Sequence, residues 1–168
     1  TYIQNTSNGF ATASSSTKGN LYEFDVGDDF SRSREAFIEV KDSHSPTKKT
    51  RRDLLAASDY LATLTAGQSD LYNAMNKVLV MDEILGILAM EYLLKHWDGY
   101  SAGGNNTYAY NDTAPSANPD INTQVRFKLL PWGIDQILKP YVDPDATPLV
   151  ERYFEASSNM LLARLTQT

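Results

Sequence analysis

Three oxygen-bearing side chains stand where this chain could hold a metal ion. Asp98 follows a long apolar segment, Asn106 precedes a short run of small and aromatic residues, and Asp135 follows the next apolar run. If Thr107–Tyr110 and Val125–Leu130 form a hairpin, the outer ends of its strands meet, so the three side chains converge at one mouth. Two carboxylates and an amide are hard oxygen donors that suit Mg²⁺ or Mn²⁺ together with phosphate oxygens. The pattern therefore predicts a phosphoryl-transfer site.

The same three residues also have a purely structural interpretation. In kinases an Asp orients the hydroxyl nucleophile, while an Asn and a second Asp hold the metal ions, but the step from Asp98 to Asn106 is longer than in the protein-kinase catalytic loop. In the alternative, Asp98 caps a turn, Asn106 occupies a left-handed turn and Asp135 caps the next helix. Spacing alone leaves both interpretations open.

Composition excludes several other classes of function. The 168 residues carry a formal charge of −6, so the chain lacks the basic surface that a nucleic acid or an anionic membrane requires. With no Cys and two His, His44 and His96, it has no disulfide, no thiolate zinc site and no cysteine nucleophile, and a site built from several histidines is not expected. The longest apolar stretch, Val78–Leu94, contains three carboxylates, so no membrane span is predicted.

The elements that would position the site predict an α+β fold. The order along the chain is strands, helices, a hairpin and further helices. The strands are predicted over 20–24 and 36–41, paired as a first hairpin, and the helices over 54–64 and 71–78, with more helices after Thr147-Pro148. An edge strand at 1–4 would need a missing strand or a partner chain, which predicts an N-terminal partner fragment or self-assembly.

The helix in front of Asp98 has the strongest pattern. It is predicted to begin at Glu83 with Asp82 as its N-cap, to run to about His96 and to end at Gly99. Apolar residues surround nearly its whole circumference, and a helix of that kind is usually buried. We therefore expect its apolar side chains to lie in the core, among them Ile84, Leu88 and Leu93.

Five short motifs occur in a fixed order between residues 19 and 138, with weaker similarity onward to the end. They are Gly19-Asn20-Leu21-Tyr22-Glu23, Leu88-Ala89-Met90-Glu91, His96-Trp97-Asp98-Gly99-Tyr100, Asn106-Thr107-Tyr108-Ala109-Tyr110 and Leu130-Pro131-Trp132-Gly133-Ile134-Asp135. In these motifs the chain resembles the CotH family, the kinases similar to spore coat protein H. The resemblance implies the C-terminal part of an atypical protein-kinase-like fold, mostly helical with β-hairpins. Residues 1–168 would form a single domain fragment, with 1–41 a remnant of the sheet region and 42–168 a helical, C-lobe-like part that carries the metal-site hairpin.

The resemblance also implies an activity and a set of roles. The activity is ATP-dependent phosphorylation of secreted or cell-surface proteins with Mg²⁺ or Mn²⁺, in a family found in spore coats and at fungal surfaces. Asp98 would be the catalytic Asp, and Asn106 and Asp135 would be metal ligands. Lys41 resembles a family Lys near the nucleotide. The partner would be a protein substrate or another surface protein, and the location secreted or cell surface.

Two departures from the family pattern imply an alternative function. Gly133 stands where the family usually has an Asp, and most of the N-lobe would lie outside these residues. The alternative is a catalytically weak or inactive CotH-like surface or assembly protein, such as a coat, adhesin or fibre component, that uses the scaffold for binding. Sequons at Asn5, Asn105 and Asn111 favour a glycoprotein, although a glycan on Asn105 would crowd a phosphate site.

Overall fold

The computed structural model describes residues 19–42, 51–65, 67–114 and 116–138. Its elements in chain order are β1 (Leu21–Phe24), β2 (Glu39–Asp42), α1 (Arg52–Thr63), α2 (Leu71–Met75), α3 (Met81–Leu94), α4 (Tyr100–Gly103), β3 (Thr107–Asn111), β4 (Phe127–Pro131) and a 3-10 helix (Ile134–Gln136). The predicted strand at 1–4, the sequon at Asn5, His44 and the helices after Thr147-Pro148 lie outside the described residues. Within those residues, no helix is long and apolar enough to cross a bilayer.

The four strands form one antiparallel sheet with the order β2-β1-β3-β4. Both predicted hairpins are present, β1 with β2 and β3 with β4. The pairing of β1 with β3, in which Leu21 lies opposite Tyr110 and Phe24 opposite Thr107, was not predicted from the sequence. This pairing joins the two hairpins, so strands from before and after residue 42 share one sheet. Helices together with an antiparallel sheet confirm the α+β class.

The core lies on the sheet face that carries alternate residues of β1 and β4. The rings of Phe24 and Phe30 have centroids 5.3 Å apart, and those of Phe30 and Phe127 are 5.4 Å apart, both edge to face. Buried residues of α1 and α3 belong to the same cluster: Leu54, Ala57, Leu61, Met81, Ile84 and Leu88. The core therefore holds the sheet and α3 together, and α3 leads directly to Asp98.

The ends of α3 differ from the prediction. The helix begins at Met81 after Val80, so Asp82 lies in its first turn instead of serving as the N-cap, and there its carboxylate accepts a hydrogen bond from the Tyr72 hydroxyl at 2.6 Å. The helix ends at Leu94, because Lys95 adopts a left-handed conformation with φ 53°. The prediction that the helix ends at Gly99 was therefore wrong. Lys95 closes the helix with the left-handed geometry that Gly more often supplies.

The prediction of burial was right for Ile84 and Leu88 and wrong for Leu93. The buried residues of α3 are Met81, Ile84, Leu88 and Glu91, which are three or four positions apart and so form one stripe. Leu93 lies on the far side of the helix and is 68% exposed. Apolar composition around the whole helix thus did not mean burial around the whole helix, because the sheet covers only one side.

Truncating Leu88 is expected to destabilise the fold. Leu88 is 6% exposed and packs in the core, so Leu88→Ala should lower the free energy of unfolding by about 2–5 kcal/mol. Leu93→Ala makes the same chemical change on the same helix at an exposed position and is the matched control, for which we expect little change. Urea unfolding of both variants is the measurement. Equal midpoints for the two variants would show that the stripe is assigned to the wrong side of α3.

A buried polar cluster, Asn20, Tyr22, Asp53 and Asn111, ties α1 to the sheet. Asp53 Oδ2 accepts from the amide nitrogens of Asn20 at 3.0 Å and Asn111 at 2.7 Å, and Asp53 Oδ1 accepts from the Tyr22 hydroxyl at 2.5 Å. Burial, and then the Asp53 charge, raise the pKa of Tyr22 far above its usual value, so this hydroxyl remains a donor. We call these four residues the Asp53 cluster.

Candidate functional site

The outer ends of β3 and β4 meet, as the hairpin geometry predicted. Thr107 lies opposite Pro131, and one residue further out the Trp132 N–H donates to the Asn106 carbonyl at 2.9 Å. The chain before β3 and the chain after β4 are thus hydrogen-bonded neighbours. We call the region where they meet the hairpin mouth, defined by Asp98, Asn105, Asn106 and Gly133.

Asp98 and Asn106 are in direct contact at the hairpin mouth. The Asn106 amide nitrogen donates to Asp98 Oδ2 at 2.8 Å and to the Asp98 carbonyl at 2.7 Å. Asn105 donates to the other carboxylate oxygen, Oδ1, at 2.7 Å. Asn106 also has φ 50°, so the left-handed turn of the structural interpretation is present. Asn106 therefore forms the turn of the structural interpretation and holds a half-buried carboxylate at the mouth, while its role as a metal ligand stays a prediction.

Gly133 lies against the amide of Asn106. A Cβ at position 133 would stand 2.8 Å from both Asn106 Cγ and Oδ1, closer than side chains approach one another. Gly133 also has φ 66°, in the left-handed region that favours glycine. An Asp here, as in the usual family pattern, would require the Asn106 amide to move. The Cβ would also stand 3.1 Å from Asn106 Nδ2, the atom that Asp98 holds, so it would meet the whole amide group.

Asp135 follows two residues after Gly133, in the 3-10 helix, with its side chain exposed. Its sharing of a metal ion with Asp98 and Asn106 stays a prediction. Among the described residues, no group of three or more His, Cys, Asp or Glu is placed to hold a metal. Mg²⁺, however, is typically bound by one or two carboxylates with waters and substrate phosphates. Two carboxylates and an amide oxygen fit that donor chemistry without a closed cage.

The comparison with protein families decides the family. The model of the CotH kinase protein family matches residues 4–168, nearly the whole chain. This chain belongs to the CotH kinase family. No curated protein and no solved structure matches it. The resemblance drawn from the five motifs is therefore confirmed, and the contacts of Asp98 and Asn106 are those of a CotH-family chain.

Lys41 of this CotH-family chain lies on β2 and is bound to two carboxylates. Its ammonium group forms ion pairs with Glu23 and, at 3.0 Å, with Glu39. The hydrogen bonds that the Lys41 ammonium donates to Glu23 first and then to Glu39 raise the pKa of Lys41 above its usual value, so it stays charged. Lys41 lies beside Leu21 and Tyr22 in the sheet, whereas Phe24 at the other end of β1 pairs with Thr107 next to the hairpin mouth. Its contact with a nucleotide stays a prediction.

Glu91, which the sequence showed as one of the carboxylates in the Val78–Leu94 stretch and as part of a CotH motif, is a buried carboxylate behind the hairpin mouth. Its Oε1 accepts from the Tyr100 N–H at 3.0 Å, and its Oε2 accepts from the Ser101 N–H at 2.8 Å and hydroxyl at 2.6 Å. The signal in the sequence was an acid inside an apolar helix. Its partners lie nine and ten residues later in another element, so spacing did not identify them.

The glycine pair Gly103-Gly104 makes a packing contact in this CotH-family chain. The Gly27 N–H donates to the Gly103 carbonyl at 2.6 Å. A Cβ at Gly104, which has φ 73°, would stand 2.2 Å from the Asp28 carbonyl oxygen. Asp28 is in turn paired with Arg34 at 2.9 Å. The loop after β1 therefore supports the C-terminal end of α4, opposite the end that Glu91 contacts.

Two apolar features flank the chain that follows β4. A cavity of about 550 Å³ lies between α3 and the 3-10 helix, lined mainly by Ile87, Met90, Leu94, Leu129, Pro131, Ile134 and Ile137. The Trp132 ring stacks on Tyr108 with centroids 5.8 Å apart and an interplanar angle of 19°. The chain that carries Gly133 and Asp135 is thus anchored by a ring stack where it leaves the sheet.

Proposed function

We propose that this CotH-family chain belongs to an ATP-dependent protein kinase with an atypical kinase-like fold, which phosphorylates hydroxyl side chains of secreted or cell-surface proteins. The observation that carries the proposal is the direct contact of Asp98 with Asn106 at the hairpin mouth. In kinases, an Asp that receives the substrate hydroxyl and an Asn that ligates metal belong to one loop. Here Asp98 and Asn106 flank the short helix α4, and an exposed Asp135 follows just beyond the strand that pairs with β3.

Each residue has a role that its position supports. Asp98 accepts one amide hydrogen bond on each oxygen, and a carboxylate oxygen has a further lone pair for a substrate hydroxyl. Asn106 would offer its amide oxygen, and Asp135 its carboxylate, to Mg²⁺ or Mn²⁺. The metal ion, when bound with ATP, supplies positive charge that neutralises the phosphates. Asn105 and Asn106 hold Asp98 in a fixed orientation before substrate arrives, so less ordering remains for the reaction.

One observation favours the alternative function, a weak or inactive CotH protein that binds partners at a surface or in an assembly. Gly133 stands where the family usually has an Asp, so one carboxylate is missing. The Asn106 amide occupies the space that an Asp side chain at position 133 would need. A carboxylate at a metal site both neutralises charge and fixes geometry, so its absence weakens the metal site. The kinase proposal therefore requires Asp135 to serve as the metal ligand without a second acid at 133.

Substitutions at positions 133 and 135 test the proposal through calorimetric ATP titration with Mg²⁺ and a radiolabel transfer assay. We expect the unaltered protein to transfer phosphate and Asp135→Asn to lose activity, with ATP affinity in Mg²⁺ weakened by about tenfold or more. Gly133→Asp and Gly133→Ala should both weaken binding, because each adds the Cβ that displaces Asn106. The exposed Asp70→Asn is the charge-matched control and should behave as the unaltered protein.

The outcomes separate the two functions. One outcome is that the unaltered protein is inactive and that Gly133→Asp, but not Gly133→Ala, raises its ATP affinity or starts phosphate transfer. The chain is then a kinase that has lost activity because it lacks the acid at position 133. If the unaltered protein and every variant fail to bind ATP, the kinase proposal is rejected and the surface or assembly role remains. Transfer by the unaltered protein rejects a binding-only role.

A further inference from the structure

The carboxylate of Glu91 is buried in an apolar helix, and both of its oxygens accept hydrogen bonds. Glu91 is 4% exposed, and its two oxygens accept the three hydrogen bonds from Tyr100 and Ser101. A buried carboxylate is costly unless hydrogen bonds replace the water it has lost. These donors include the first two N–H groups of α4. The first N–H groups of a helix have no hydrogen-bond acceptor within that helix. Glu91 is therefore a cap provided by a different helix.

The segment that Glu91 holds lies between the two ends of the hairpin mouth. Asp98 and Gly99 stand immediately before α4, and Asn105 and Asn106 follow shortly after it. The loop is also fixed in front of Asp98, because the His96 N–H donates to the Glu91 carbonyl at 2.9 Å. Asp98 is thus placed between two attachments to one residue, the Glu91 carbonyl on one side and the Glu91 carboxylate on the other.

Gly99 allows this close attachment. A Cβ at Gly99 would lie 2.6 Å from Glu91 Oε1 and 2.7 Å from His96 Nδ1. The backbone of Gly99 is extended, so space and not conformation requires glycine here. The loop backbone therefore approaches the Glu91 carboxylate more closely than any residue with a side chain could.

We propose that Glu91 is a positioning residue that sets the orientation of Asp98 relative to Asn106 by capping α4. Its consequence for turnover rests on the proposed kinase function, whereas its consequence for the geometry of the loop does not. A Gln at position 91 has one acceptor oxygen and an NH₂ group that would face N–H and O–H donors. Glu91→Gln should therefore release one side of the α4 cap while keeping the size of the side chain.

The test compares Glu91→Gln with Glu83→Gln, which removes the same charge from an exposed position on the same helix. The first measurement is the NMR resonances of the Asn105 and Asn106 side-chain amides, which report their hydrogen bonds to Asp98 without requiring activity. We expect these resonances to shift in Glu91→Gln and to be unchanged in Glu83→Gln. The second measurement is steady-state kinetics, in which kcat should fall by up to about a hundredfold with a smaller change in KM for ATP.

Ser101→Ala keeps the proposal testable if Glu91→Gln does not fold. It removes the hydroxyl donor and leaves both backbone N–H groups, so it should shift the Asn105 and Asn106 resonances in the same direction by a smaller amount. Unchanged resonances in a folded Glu91→Gln protein, or in Ser101→Ala where the first does not fold, would overturn the proposal. If the resonances shift but the unaltered protein transfers no phosphate, the kinase function fails and the positioning role stands.

Discussion

Asp98→Asn is expected to lower phosphoryl transfer by about 10²–10⁴-fold, the range that a positioned general base contributes. The substitution keeps the size of the side chain and removes its capacity to take a proton from the substrate hydroxyl. The amide that replaces the carboxylate can still accept from Asn106 through its one oxygen. Asn105 is half-buried and can turn its own amide to present an oxygen to the new NH₂ group. ATP binding should therefore change much less than turnover.

The measurement is radiolabel transfer under saturating ATP, with calorimetric ATP titration in Mg²⁺ alongside it. Asp70→Asn, an exposed Asp at the start of α2, is the control and should leave both quantities unchanged. Turnover by Asp98→Asn equal to that of the unaltered protein would exclude Asp98 as the base. Loss of ATP binding together with turnover would instead assign Asp98 to the metal site.

Asp53→Ala is expected to destabilise the fold more than any other single truncation considered. It removes the Asp53 acceptor from three buried side-chain donors, on Asn20, Tyr22 and Asn111, and from the backbone N–H of Leu54. Each buried donor left unsatisfied costs about 1–3 kcal/mol, so the free energy of unfolding should fall by at least about 3 kcal/mol. Since the free energy of unfolding of a whole domain is only about 5–15 kcal/mol, this loss would remove a large part of the stability of the fold.

Urea unfolding is the measurement, and Asp59→Ala is the control on the same helix. Asp59 is exposed and pairs with the exposed Arg32, and such a surface pair contributes little to stability. We expect Asp59→Ala to leave the midpoint nearly unchanged. A midpoint for Asp53→Ala close to that of Asp59→Ala would show that water replaces the lost acceptor and that the Asp53 cluster does not hold α1 to the sheet.

Local patterns predicted the hairpins and the closeness of Asp98 and Asn106, but not the pairing between hairpins. Alternating side chains and turn residues mark each strand, and a hairpin brings its outer ends together whatever surrounds it. The pairing of β1 with β3 joins residues more than eighty positions apart in the chain, and no local signal specifies it. Non-local contacts of this kind depend on how whole surfaces fit, which spacing within one segment does not record.

Single residues show the same limit. Leu93 was placed in the core because its helix is apolar all round, but one sheet covers only one side of a helix. Gly133 was identified in the sequence as a missing acid, whereas the structure adds that Asn106 fills the space of the side chain. The structural role of Glu91 was not predicted, because its hydrogen-bond donors include backbone N–H groups of another element, α4. Close packing between residues and hydrogen bonds to backbone groups cannot be recognised from residue types and their spacing.

The burial of Asn111 restricts glycosylation at one of the three sequons. Its amide nitrogen, the atom to which an N-glycan is attached, donates to Asp53 at 2.7 Å and to the Gln124 carbonyl at 3.3 Å. Thr113, the third residue of the same sequon, donates its hydroxyl to the Gln124 carbonyl at 2.6 Å. A sugar attached to Asn111 before folding would have to enter the core with its water. Glycosylation at Asn111 and completion of this fold are therefore mutually exclusive fates for a single molecule.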